Sequence, residues 1–421
     1  MRGLRPAEFP RILPMRERAA VIGRALRGRL ETVLPLAMRE AGIDMWLILC
    51  QEDDLDPVFT TMVPLDTWCP ILQMLVFHDT GDTVERINLS GTNTHDLYER
   101  PIATQLPEQQ WPKLIEIIEA RDPQRIGINI GAVQWAGSGL THNLYTQLLA
   151  HLSPRHAERL VSAETAAARW LATLTEEDIA LHEHVVAVAR ALIAECYSPR
   201  ALTPGVTTST DLEWHYWQRA ADLGLEVAFK PYFSVVRSQA ARERHGAEDR
   251  TIRPGDCVHC DVGLKYLRLN SDHQQWAYVP RPGETDAPEG LRRLMAEANR
   301  LQDLFMAEFR AGLTGNELLA NILARARAEG VPNPKVYSYS LGYYLHEPGP
   351  LIGLPWEQER CVGRGDVALQ ANTAFTMELC VRAPVPEWDG QEVTLSIEED
   401  VLFTQDGCRP IQGRQTEFHL I

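Results

Sequence analysis

Two glutamates stand where the surrounding sequence calls for apolar side chains. Glu378 lies in NTAFTMEL between Met377 and Leu379, and Glu398 lies in VTLSIEEDVLF, just after Ile397 and shortly before Val401, Leu402 and Phe403. Both stretches read as strands, joined by a loop around EWDGQ. An ionised carboxylate in such a run is expensive to bury unless it is paired or bound to a metal ion. The fold therefore has to supply a partner for both acids.

Upstream, residues 255–279, GDCVHCDVGLKYLRLNSDHQQWAYV, read as a hairpin with Asp261 and Asp272 near its opposite ends. A hairpin folded between them places the two carboxylates face to face across paired strands. The competing reading is two ordinary turn aspartates, since Asn270-Ser271 before Asp272 has turn chemistry. His259 lies two residues before Asp261 and so faces the same side of its strand. It is either a substitute ligand or a hydrogen-bonded core histidine. Cys257 and Cys260 have C-x-x-C spacing, but no second such pair completes a zinc knuckle, and they read as structural thiols.

A chain of 421 residues is too long for one ordinary core and suits two domains. With 45% hydrophobic and 23% charged residues it has the composition of a globular protein. Its 57 acidic against 41 basic residues give a formal charge of -16, which argues against nucleic acid and anionic membranes as partners. Residues 1–30 carry arginines and no apolar signal core, no window approaches 18 uninterrupted apolar residues, and the eight cysteines are scattered. These features lead to the expectation of a cytoplasmic protein with reduced thiols.

Residues 1–160 alternate helical and strand-like stretches: a helix over 16–42 ending at Gly42, then strands at 43–50, 74–79 and 125–130. That pattern predicts an α/β domain. Residues 161–176 read as a helical linker. Residues 177–421 carry a weak internal repeat, in which long helices at about 177–197 and 287–311 each lead into a second helix, a glycine (Gly224, Gly330) and strands. Capping boxes are expected at Thr210 with Glu213 and at Thr314 with Glu317. The pattern predicts an α+β domain with pseudo-twofold symmetry. His182 and His184 read as surface residues of the first long helix, and Arg364-Gly365-Asp366 as a turn.

Taken in order, GD-x-V-x-x-D-x-G (255–263), Ser271-Asp272, F-T-x-E (375–378) and I-E-x-x-V-L (397–402) resemble the creatinase/aminopeptidase P family of pita-bread metallohydrolases. SVVRSQAARERHGAEDRTIRPGD (234–256) is similar to that family's segment with an active-site histidine, here His245, and LHEPGP (345–350) to its His-Glu-Pro, here His346. The resemblance implies a creatinase-type N-terminal domain over 1–160, a linker over 161–176 and a pita-bread catalytic domain over 177–421. It implies metal ligands Asp261, Asp272, Glu378 and Glu398 around two divalent ions (manganese, iron or zinc), the carboxylate-rich shell favouring harder ions. It also implies Glu378 as proton shuttle, with His245 and His346 stabilising the tetrahedral intermediate and the leaving group, and a homodimer to which aromatic segments such as DTWCP (66–70) contribute.

The sequence departs from the family pattern at one expected ligand. The metal-binding histidine belongs seven residues before the histidine of His-Glu-Pro, and Tyr339 stands there, either a phenolate ligand or a space-filler. His273, Gln274, Gln275 and Trp276 replace the Thr and Arg common after the second aspartate, and Ser396 stands where Arg often precedes the last Ile-Glu. The resemblance implies a metallopeptidase that cleaves a C–N bond in a small peptide or amide, in the manner of Xaa-Pro aminopeptidases and dipeptidases. The departures favour two rivals, a creatinase-like hydrolase or lyase of a small metabolite and a non-catalytic pita-bread binding protein.

Overall fold

The computed structural model describes residues 9–421. They form two compact units: Leu13–Asp178 with Glu347–Gly349, and residues 9–12 with Ile179–His346 and Pro350–Ile421.

The first unit is built on a mixed five-stranded sheet, β1 (Met45–Gln51), β2 (Leu72–Asp79), β3 (Val84–Asn88), β4 (Ile126–Ile128) and β5 (Leu160–Ser162), in the order β3-β2-β1-β4-β5. Helices α1 (Met15–Glu40), α2 (Pro57–Met62), α3 (Pro107–Arg121), α4 (His142–His151), α5 (Pro154–Ala157) and α6 (Glu164–Ala172) complete it. Strand β1 is central, so MWLILC is buried on both faces and shows no polar alternation. The expected linker is not one: residues 161–176 hold the end of β5 and all of α6, whose Trp170 and Leu171 are fully buried. Arg29 is buried too. It pairs with Asp178 at 2.8 Å, donates to the carbonyl oxygen of Thr173 at 2.5 Å and to that of Trp170, and lies over the Trp170 ring at 4.5 Å.

The second unit contains helix α7 (Glu176–Cys196) from Ile179 onward, and helices α8 (Ser209–Asp222), α9 (Gln239–His245), α10 (Glu289–Glu308) and α11 (Gly315–Ala328). Its first sheet has β6 (Glu226–Val227), β7 (Tyr232–Val236), β8 (Cys257–Tyr266), β9 (Leu269–Tyr278) and the late strand β17 (His419–Leu420). Its second has β10 (Lys335–Leu341), β11 (Leu351–Ile352), β12 (Thr373–Thr376), β13 (Glu378–Val385), β14 (Gln391–Ile397), β15 (Asp400–Thr404) and β16 (Gly407–Pro410). Two helices followed by strands thus occur twice. The α10 face bearing Leu291, Leu294, Ala298, Leu301 and Phe305 packs into one core with Phe375, Leu379, Val381, Leu395 and Ile397.

Three local expectations need correction. The first capping box is Thr208 with Asp211, not Thr210 with Glu213: the Asp211 carboxylate closes back on the Thr208 N–H at 2.8 Å, while Glu213 is buried and pairs with Lys230 at 3.3 Å. The second box, Thr314 with Glu317, forms as expected. The hairpin turns at Leu267-Arg268, both at positive φ (52° and 69°), so Asn270-Ser271 and Asp272 lie inside β9. His182 is buried rather than at the surface, with Nε2 2.8 Å from the carbonyl oxygen of Asn270.

The two glutamate runs are each broken into two strands. Glu378 opens β13 after a break at Met377, and Glu398 lies in the gap between β14 and β15. At that gap Gln274 and Glu398 form an isolated antiparallel bridge, each N–H donating to the other's carbonyl oxygen at 3.1 Å. This bridge joins the β8–β9 hairpin to the second sheet.

Candidate metal centre

Strand register sets the positions of the acids. Asp261 on β8 lies opposite Gln274, and Asp272 on β9 lies opposite Gly263. The two aspartates are therefore diagonal neighbours and not directly face to face, on one side of the hairpin. The bridge at Gln274 brings Glu398 to the same side. One oxygen from each of Asp261, Asp272 and Glu398 lies within 4.8 Å of the other two. Glu378 stands one hydrogen bond away: Gln274 Nε2 donates to Glu378 Oε1 at 3.0 Å and to Glu398 Oε2 at 2.8 Å. Asp272 Oδ2 accepts the Tyr339 hydroxyl at 2.6 Å, while Asp272 Oδ1 is buried without a hydrogen-bond partner.

Burial works against charge on every one of these acids. It pushes Asp261 up to about 6. It pushes Glu378 up to about 7, helped by the Asp261 charge and opposed by the Gln274 hydrogen bond. Asp272 and Glu398 are held well above the carboxylate range by burial and then by repulsion, from Asp261 and from Asp272 respectively. A divalent cation would reverse this balance. An all-oxygen donor set with an orphaned buried oxygen, Asp272 Oδ1, fits a hard cation, which Asp261, Asp272 and Glu398 would hold.

Other side chains surround the acids. Tyr339 on β10 lies between the rings of Tyr337 and His346, at centroid distances of 5.0 and 4.4 Å. His346 is exposed, yet partial desolvation of its imidazole, with the nearby Arg364 charge, lowers its pKa. His245 ends α9 with its side chain exposed. His259 points to Gln274, Nε2 to Oε1 at 3.1 Å, and packs on Trp276 at 4.7 Å. Burial lowers its pKa to about 4.

Sequence reasoning overlooked two features. It treated Gln274 only as one of four residues that replace the family's Thr and Arg, although the two-residue period of β9 puts positions 272 and 274 on one face. It also overlooked the buried polar layer on the other face, where His273 lies 3.6 Å from Glu399 and 4.0 Å from Asp400. There Arg190 binds Glu399 at 2.5 Å, and Asp400 accepts the backbone N–H of Asp272 at 3.2 Å.

The profile of metallopeptidase family M24 matches residues 180–405. The chain belongs to metallopeptidase family M24. The match covers the hairpin, both glutamates, Tyr339 and His346. Among curated relatives, a probable dipeptidase PepE of Mycobacterium bovis is 27% identical over 221 residues, which is 50% of this chain and 51% of that protein. The chain thus spans about half the length of the curated relatives it matches. Among solved structures, an X-Pro aminopeptidase from Thermotoga maritima superimposes with TM-score 0.64 at 16% identity, over 92% of this chain and 100% of that one. An Xaa-Pro dipeptidase from Bacillus anthracis gives 0.61 at 17% identity, over 95% and 100%. These likenesses establish the fold: an α/β creatinase-type N-terminal domain and a pita-bread C-terminal domain, as the sequence led one to expect.

Proposed function

We propose that this M24 protein is a metal-dependent hydrolase that cleaves a C–N bond in a small substrate, in the manner of Xaa-Pro aminopeptidases and dipeptidases. The observation that carries this reading is the convergence of Asp261, Asp272 and Glu398 within 4.8 Å, with one buried oxygen left unpartnered. A bound divalent cation supplies a Lewis acid for the scissile carbonyl and acidifies a water. Glu378, with its carboxyl shifted up to about 7, is poised to take a proton from the attacking water and give it to the leaving nitrogen. His346, beside Tyr339, offers an N–H to the oxyanion. His245 is assigned to the leaving-group side, where its exposed position at the end of α9 requires the substrate to reach it. The test is an assay of metal-loaded protein on Xaa-Pro dipeptides and longer Xaa-Pro peptides. Turnover that is lost with a chelator and in Asp272→Asn supports the reading, and no turnover of any Xaa-Pro substrate by a metal-loaded protein overturns it.

A second reading, a creatinase-like hydrolase or lyase of a small metabolite, is favoured by one observation. Gln274 and Gln275 lie in the stretch after the second aspartate where the peptidases tend to carry Thr and Arg, and both are engaged with glutamates of the site region, Glu378, Glu398 and Glu399. Cleavage of small amides or amidines in the absence of peptide cleavage distinguishes it. We also propose a homodimer, for which the exposed Trp68 of DTWCP offers an apolar contact and light scattering the test.

A further inference from the structure

We infer that this centre holds one divalent cation per chain, at Asp261, Asp272 and Glu398, and that the amide of Gln274 occupies the place between Glu378 and Glu398 that a second cation would need. The inference rests on the metal-dependent reading above and departs from the two-ion expectation.

For two ions to be held, Glu378 and Glu398 would both have to turn an oxygen toward the second one. A cation binds carboxylate oxygens at roughly 2.0–2.6 Å and stands about 3.5–4 Å from its neighbour in a two-metal site. Here the position between the two glutamates is filled by Gln274 Nε2, 3.0 Å from Glu378 Oε1 and 2.8 Å from Glu398 Oε2. An amide nitrogen carries two protons, one for each carboxylate. The orientation of the amide follows from its contacts. Reversing it would set the carbonyl oxygen against two carboxylates, whereas in the present orientation Oε1 faces the ring nitrogen Nε2 of His259 at 3.1 Å. His259 is in turn held by Trp276. Gln274 is thus a positioned neutral donor anchored from behind, and it satisfies one oxygen on each glutamate without a second positive ion.

Tyr339 acts in the same sense. Its hydroxyl lies 2.6 Å from Asp272 Oδ2 and 3.5 Å from Glu398 Oε1. A hydroxyl used as a donor to these oxygens is not a ligand to an ion between them. The donors Gln274 and Tyr339 therefore engage oxygens of Glu378, Glu398 and Asp272, while Asp272 Oδ1 remains unpartnered. The asymmetry leaves Glu378 outside the cation's shell and free to carry a proton.

The test is metal stoichiometry. Metal-free full-length protein is titrated with Mn(II) by calorimetry, and metal per chain is measured after dialysis; the Mn(II) electron paramagnetic resonance spectrum is then recorded. The expected result is one ion per chain with the six-line spectrum of an isolated Mn(II). The double variant Gln274→Ala/Tyr339→His, which removes the spacer and supplies a nitrogen, is expected to take up a second ion. Two ions in the wild type, or an exchange-coupled spectrum, overturn the inference. Zero ions overturn it together with the functional reading. One ion in a protein that cleaves no amide leaves the inference standing and removes the functional reading alone.

Discussion

The phenol of Tyr339 donates to Oδ2 of Asp272 across 2.6 Å, inside a buried group of carboxylates. An imidazole at this position would offer a cation a neutral lone pair. The phenol instead offers the acids a proton. Replacing a ligand by a donor changes what the neighbouring oxygens are free to bind.

Ferric iron separates these two roles of Tyr339. A phenolate bound to Fe(III) gives a visible charge-transfer band, whereas a phenol that keeps its proton on Asp272 gives none. The expected spectrum of the Fe(III)-loaded protein has no such band, and its presence, lost in Tyr339→Phe, would make Tyr339 a ligand.

Asp272→Asn removes the negative charge at the oxygen without a partner. Loss of groups that merely support a ligand typically lowers metal affinity about 10–100-fold. Loss of a proposed ligand should exceed that, so the expected drop is more than about 100-fold, with turnover falling in parallel. Calorimetric titration checks it, and unchanged affinity would show that the ion sits elsewhere.

The site also predicts how stability depends on pH. Asp261 and Glu378 have folded values of about 6 and 7 against ordinary values of 3.8 and 4.5. Because both are raised, their contribution to the metal-free fold is complete below about pH 4 and lost as pH rises through 6 and 7. Metal-free protein should therefore lose thermal stability relative to Asp261→Asn between about pH 4 and pH 6. Divalent cation should cancel the loss and release protons on binding, seen as a dependence of calorimetric heat on buffer ionisation enthalpy. Parallel pH curves for the two proteins would argue against the assignment.

Arg29 gives a prediction in the other unit. Its guanidinium and the Asp178 carboxylate are both fully buried, so Arg29→Met leaves a buried negative charge held only by neutral donors such as the Thr175 N–H and hydroxyl. The expected cost is about 3–5 kcal/mol in denaturant unfolding, most of it recovered when Asp178 is replaced by leucine as well.

The comparison of sequence with structure shows where pattern reading works. Long amphipathic helices and the doubly covered β1 were legible, because their periodicity extends over many residues. β3 and β5 were not, being short and half polar. The glutamate strands were legible as apolar runs, but their breaks at Met377 and Glu398–Glu399 were not, since a change of pairing partner leaves no local mark. The capping box was misplaced by two residues because TTSTDLE offers two threonines with an acid three positions on. Glu378 and Glu398 stood out through the cost of burying charge, and Asp261 and Asp272 through the hairpin and the family resemblance. Gln274 and the layer of His273, Glu399 and Asp400 did not, because the partners of an uncharged or mutually paired group are decided by the tertiary register.

The Gln274–Glu398 bridge has a kinetic consequence. It closes a loop of 124 residues, and the candidate pocket has no complete form until it closes. Non-local closure of this kind comes late in folding, after its entropy has been met by other contacts. Cation added to refolding protein should then leave the folding rate nearly unchanged and act on the unfolding rate, slowing escape from the native state in proportion to its occupancy. The ion would act as a latch on a finished molecule, and either half of the catalytic domain expressed alone would have no latch to set.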